Sequence, residues 1–447
     1  MKQTRAHVRP WKWNRLAHVC RIWRHVVSVS PCRLDLRILC ESGAPIGSIL
    51  DSWPTLPLVI RCSARSQEST RMPKNVVVAL RRPDRICEIN LDVTRSMTGP
   101  IVEMVSKPCQ VLERIRITVK DATRPSILIR DAFLGGSAPH LKEIELDGIS
   151  FPFLEIRRVL LSTDNLIELH LSNITRAARF SPDDLVTSLS TLVQLKSLTV
   201  GFHSPYFSPP SNTTRRPPQF TTLSSLESVD FHGTSDYLED FVSQIDSPAL
   251  RHITLRLFML FYLEPPQFNQ FIPHQNALQS PTRLRISHSV ELVSISFFLE
   301  AEHTSRICSF ETSCPRLEFQ LLFATQILGS LSPLLSRVDC VTIEANGELP
   351  TGEAHMNATQ WLELFQSFTH VKEIRVMEAR LVPSVVEALV SEEMDPEVLP
   401  ELGHLFLCDF PNCPFMLNAA EQFVAMRSLI GRPVSLAGMR TNELLLC

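Results

Sequence analysis

Leu141-Lys142-Glu143-Ile144-Glu145-Leu146-Asp147 carries aliphatic side chains at its first, fourth and sixth positions, and Leu166-Ile167-Glu168-Leu169-His170-Leu171-Ser172 repeats the pattern 25 residues later. In an extended chain the fourth and sixth positions share one face, and the third, fifth and seventh point the other way. The same spacing of aliphatic or Phe side chains recurs at Ile86-Ile89-Leu91, Leu112-Ile115-Ile117, Leu195-Leu198-Val200, Leu226-Val229-Phe231, Leu250-Ile253-Leu255, Leu292-Ile295-Phe297, Val338-Val341-Ile343, Val371-Ile374-Val376 and Leu402-Leu405-Leu407. First positions are 24 to 46 residues apart. Each gap holds enough chain for a return helix. Ser181-Pro182-Asp183-Asp184 is a helix start, with serine as cap and proline at the first helical position, so a helix is expected through Leu189. A second is expected over Trp361–Phe368.

A single strand with its return segment cannot bury its own apolar edge, so such units must stack. The expected fold is therefore α/β, with parallel strands side by side from about residue 85 to 410. Residues 36–84 are expected to connect to this array through strands of their own, and 411–447 to cap it. Two proline-rich stretches, Ser204–Phe220 and Glu264–Thr282, are expected to leave the body as loops, because proline fixes φ and removes a hydrogen-bond donor. Gly135-Gly136-Ser137 reads as a turn.

At the start of the chain, Leu16, Val19, Cys20, Trp23, Val26 and Val27 fall on one face of a helix beginning after Asn14 and ending before Pro31. His18, Arg21 and His25 occupy the other face. Residues 1–40 carry a net charge of +8 and residues 341–447 a net charge of −9, although the whole chain is only at −3. A helix this short, preceded by Trp11 and Trp13, exposes more apolar surface than it can bury alone, so it must pack on a neighbour.

The run Arg9-Pro10-Trp11-Lys12-Trp13-Asn14-Arg15-Leu16-Ala17-His18-Val19-Cys20-Arg21-Ile22-Trp23-Arg24, followed by Ser30-Pro31, resembles the second half of an F-box. Arg33-Leu34-Asp35-Leu36-Arg37 and Trp53-Pro54-Thr55-Leu56-Pro57-Leu58-Val59-Ile60 look like the segment that follows it in the mushroom-type fungal F-box family. The Leu-Pro opening of an F-box is missing, so the resemblance is to an N-terminally truncated F-box over residues 1–35. The later triplets resemble irregular leucine-rich repeats. At the ladder-turn positions, where such repeats carry Asn or Cys, this chain holds Ile149, Ile174, Thr234 and Phe410. Together the resemblances imply an F-box helical remnant followed by a leucine-rich-repeat-like solenoid. They further imply a non-catalytic substrate receptor of a cullin-type ubiquitin ligase, with Leu16, Val19, Cys20, Trp23 and Val27 docking the adaptor protein. The alternative is an adaptor-independent repeat scaffold that binds proteins.

The outward strand positions suit a protein target. The densest acidic group, Glu143, Glu145, Asp147 and Glu168, with His170, is expected to attract a basic segment. No phosphate loop, dinucleotide fingerprint, nucleophile elbow or zinc-protease motif occurs, so no enzymatic activity and no cofactor are expected. The 12 cysteines include no C-x-x-C pair and read as small buried hydrophobes rather than as metal ligands. No basic stripe interleaved with aromatics points to nucleic acid. No apolar run approaches the roughly 20 residues that cross a bilayer. The absence of an apolar leader at the N-terminus makes a cytoplasmic or nuclear location the expectation.

Overall fold

The computed structural model describes residues 19–29, 37–41, 50, 56–63, 72–120, 127–129, 132–178, 180–204, 220–258, 266–272, 275, 281–299, 306–314, 316–345, 358–390, 398–408 and 414–439. They fall into two units, Met1–Leu226 and Glu227–Cys447. The fold class is α/β, and the main sheet of each unit is mostly parallel.

In the first unit, helix α1 (Arg21–Val29) precedes strands β1 (Ile38–Cys40) and β2 (Leu58–Ser63). Then follow α2 (Lys74–Leu80), β3 (Ile86–Val93), α3 (Thr98–Val105), β4 (Arg114–Val119), β5 (Glu143–Asp147), α4 (Phe153–Leu160), β6 (Glu168–Ile174), α5 (Pro182–Leu189) and β7 (Ser197–Phe202). Strands β1 to β7 lie in chain order, each parallel to its predecessor. The aliphatic triplets stack in register. Ile60, Ile89, Ile115, Ile144, Leu169 and Leu198 form one continuous row across six strands, and every member is buried. Leu91, Ile117, Leu146, Leu171 and Val200 form the next row. A one-residue slip would move a strand's entire aliphatic set to the polar face, so these rows hold the register.

The second unit contains β8 (Ser228–Gly233), α6 (Ser235–Val242), β9 (His252–Leu257), α7 (Pro266–Phe271), β10 (Arg283–His288), β11 (Leu292–Phe298), β12 (Arg306–Ser313), α8 (Leu317–Ser330), β13 (Cys340–Ala345), α9 (Ala358–Gln366), β14 (Glu373–Val376), α10 (Val382–Val390), β15 (His404–Cys408), α11 (Pro414–Leu429) and β16 (Ser435–Met439). Its strand order is β8-β9-β12-β11-β10-β13-β14-β15-β16. All neighbours are parallel except β11, which runs antiparallel to both β10 and β12. The chain thus crosses from β9 to β10, turns back through β11, and returns in β12 beside β9. The apolar rows continue through the meander: Leu255, Phe310, Ile295, Ile286, Ile343, Val376 and Leu407 are in register.

This meander corrects one triplet. Leu292-Ile295-Phe297 lies on the reversed strand, and Leu292, a first position buried in the other triplets, is 37% exposed. The parallel strands that flank it are β10, with Leu284 and Ile286, and β12, with Cys308 and Phe310. A second feature recurs without reference to strands. The N–H of the first aliphatic residue donates to the carbonyl three residues earlier at Leu112, Leu141, Leu195, Leu226, Leu250, Val338 and Leu402. The same tight turn delivers the chain into successive strands.

The two expected return helices are present. Ser181 caps α5 through a reciprocal box: its Oγ accepts from the Asp184 N–H, and its own N–H donates to the Asp184 carboxylate. Ser181→Ala is expected to cost about 1 kcal/mol in a urea titration, since it leaves an end donor unpaired. The Gly135 turn is also present: Leu134, Gly135 and Gly136 all have positive φ, and a Cβ on Gly135 would lie 2.7 Å from the Pro108 nitrogen. Of the proline-rich stretches, residues 205–219 lie outside the described residues. The other is not simply a loop. Its Pro266–Phe271 segment is a helix whose Phe268 and Phe271 are buried, Phe268 lying edge-on to Phe310 at 5.8 Å. Apolar burial at i and i+3 outweighed the proline-rich composition.

Candidate interaction surfaces

The outward positions of β2 to β6 form a grid of charges, and parallel register sets its spacing. Glu88, Arg114, Glu143 and Glu168 occupy one row; Asn90, Arg116, Glu145 and His170 the next; Asp92, Thr118, Asp147 and Ser172 the third. The five residues expected to bind a target therefore sit together on two neighbouring strands. Their surroundings differ from a bare acidic patch. Arg114 reaches Glu88 at 3.2 Å on one side and Glu143 at 3.0 Å on the other, and Arg61 closes on Glu88 at 3.0 Å. Arg116 pairs with Glu145 at 3.2 Å, and Lys120 with Asp92 at 2.9 Å. Asp147 accepts from Asn173 Nδ2 at 2.5 Å. His170 is held between Thr199 Oγ1 at 2.7 Å and Glu168 Oε2 at 3.4 Å. Glu113 binds Arg37 at 3.3 Å and Lys142 at 3.8 Å below this grid.

Two of the acidic residues, Glu143 and Glu145, are thus paired with arginines one strand away. Burial raises the pKa of the Glu143 carboxyl, the neighbouring Arg114 pulls it down, and Glu168 adds to the rise; burial dominates. Partly exposed pairs like these add little stability, about 0–1 kcal/mol each. Their consequence is electrostatic: cations are interspersed among the carboxylates, so the face is not uniformly acidic. The pairs of Arg61 with Glu88 and of Lys120 with Asp92 join residues 27 and 28 positions apart in sequence, so no local pattern announces them.

At the N-terminus, apolar residues of α1 and of the two positions before it are exposed. Val19 is 65%, Trp23 46% and Val26 42% exposed, and Cys20 is exposed as well. The Trp23 N–H donates to Cys20 Sγ at 3.5 Å. Ile22, three residues after Val19 and four before Val26, widens the stripe and is 75% exposed. Leu16 and the side chain of Val27 lie outside the described residues.

Cys40, Cys87, Cys109, Cys308, Cys314, Cys340 and Cys408 are buried. Burial pushes the Cys40 and Cys109 thiols up to about 12 and those of Cys87 and Cys340 to about 11, so these groups pack as neutral thiols at neutral pH. Among the described residues no cluster of three or more His, Cys, Asp or Glu side chains has metal-binding geometry, and no helix is long and apolar enough to cross a membrane.

No family model matches the chain, and no curated protein matches it.

Proposed function

We propose that this chain is a non-catalytic substrate receptor of a cullin-type ubiquitin ligase. Helix α1 docks the adaptor, and the strand array, an irregular leucine-rich-repeat solenoid, presents its charged grid to a target protein. The physical task is to raise the local concentration of a target beside a ubiquitin-carrying enzyme, which requires two binding surfaces and no bond chemistry. The observation that carries the reading is the solvent-exposed stripe of Val19, Cys20, Ile22, Trp23 and Val26 within the F-box-like segment. An exposed indole flanked by aliphatic side chains is the composition of an interface centre. The in-register triplets and the repeated entry turn support the solenoid part.

The test is calorimetric titration of the purified full chain with purified ligase adaptor. Binding is expected, and Trp23→Ala is expected to weaken it at least about 10-fold, because burying an indole contributes upward of roughly 1.5 kcal/mol. No binding by the unaltered chain, or equal binding by both proteins, would refute the adaptor assignment. The charged grid does not depend on α1, so the adaptor-independent scaffold is then the reading that stands.

A further inference from the structure

We infer, on the adaptor reading of α1, that the adaptor's receiving surface is an apolar groove set in an acidic field. The basic side of the helix then governs how fast the complex forms, and the apolar side governs how slowly it separates. Helical spacing divides α1 between these tasks. At 3.6 residues per turn, Ile22, Trp23 and Val26 fall on one side, and Arg21, Arg24 and His25 hold the positions opposite.

The positive field of this segment is not cancelled where it arises. Arg21 and His25 are exposed, and among the described residues neither takes part in an ion pair. Residues 1–34 contain eight Lys and Arg side chains and no Asp or Glu; the first acidic residue of the chain is Asp35. The strand grid is built differently, since Arg114 and Arg116 there meet carboxylates on adjoining strands. The same segment of a second copy carries the same sign and is repelled, so charge favours an anionic partner over self-association.

Distance decides what these cations do. When the apolar side enters a groove, the basic side stands about one helix diameter, roughly 10 Å, from its floor. That is close to the Debye length of about 8 Å at physiological salt, so the cations act through their field and not through contact. Charges outside the buried patch change the encounter rate, whereas buried apolar side chains change the rate of separation.

The experiment is surface plasmon resonance with the full chain flowed over immobilised purified adaptor at about 50, 150 and 500 mM sodium chloride. The association rate is expected to fall about 10-fold or more across this range, with the dissociation rate constant to within about 2-fold. The triple reversal Lys12→Glu, Arg15→Glu and Arg21→Glu is expected to lower the association rate at the lowest salt and to flatten its salt dependence. Trp23→Ala is expected to do the opposite, raising the dissociation rate and leaving association unchanged. An association rate that ignores both salt and charge reversal, or a reversal that acts through dissociation, overturns the acidic field while the adaptor reading stands. No binding to the adaptor at any salt, with or without binding to phosphatidylserine vesicles, overturns both.

Discussion

Trp361→Ala is expected to destabilise the second unit by about 3–5 kcal/mol, a large part of the roughly 5–15 kcal/mol that holds a typical domain together. Trp361 is fully buried on α9 and stacks on Phe365 with ring centroids 5.8 Å apart. Its indole N–H donates to Ser384 Oγ on α10 at 3.0 Å, and Ser384 Oγ donates onward to the Leu381 carbonyl at 3.1 Å. Truncation opens a cavity and removes the hydrogen bond at once. Two further variants separate these effects. Trp361→Phe keeps much of the volume but leaves Ser384 without its donor, and is expected to lose less than half as much. Ser384→Ala leaves the indole N–H unpaired and is expected to cost about 1–3 kcal/mol. Urea titration followed by far-UV circular dichroism measures all three. A loss below about 1 kcal/mol for Trp361→Ala contradicts tight packing between α9 and α10.

Acid is expected to destabilise the protein through His288 by about 3 kcal/mol, the free-energy equivalent of its displaced pKa. His288 is fully buried at the end of β10. Gln320 Nε2 donates to the carbonyls of Ser289 at 2.8 Å and Cys314 at 2.7 Å, so its Oε1 must accept. The partner at 3.0 Å is His288 Nδ1, which therefore holds the proton of the neutral ring. The other nitrogen, Nε2, is buried without a hydrogen-bond partner. A proton added there would create a buried cation with nothing to receive it. Burial accordingly lowers the His288 pKa from 6.5 to about 4, the Gln320 hydrogen bond opposing only in part.

The sign follows from the direction. The unfolded chain takes up this proton below pH 6.5 while the folded chain resists until about 4. The contribution is complete above pH 6.5 and disappears progressively as pH falls to about 4. His288→Asn retains a donor toward Gln320 and does not titrate. Urea unfolding at pH 7, 5.5 and 4.5 should show a steeper loss for the unaltered chain than for this variant, since the carboxylates are common to both. Parallel pH profiles would mean that His288 is not held neutral.

These two residues also mark how far the amino-acid order could be read. Trp361 lies in a helix that is evident from local pattern, yet nothing local pairs it with Ser384. His288 was one of fourteen scattered histidines. Its character depends on Gln320, which is 32 residues away and arrives only when α8 packs on the meander. The grid of β2 to β6 behaves similarly. Glu143 and Glu145 were visible as outward acidic residues, but their partners Arg114 and Arg116 stand 29 residues earlier, brought alongside by register. The pairing of these two carboxylates is therefore a property of register and not of local pattern. The α7 segment departs from the loop its prolines suggest because Phe268 and Phe271, three residues apart, anchor it in the core.

By itself the amino-acid order determined which residues face inward, where most strands begin, and how α5 is capped. These are properties of alternation and of hydrogen bonds spanning a few residues, which the local chain dictates. Tertiary structure decided strand direction, since alternation with a period of two, such as Val293, Ile295 and Phe297, looks the same from either end. It also decided which charges neutralise each other and which surfaces remain open, because both depend on neighbours that only the packed chain supplies.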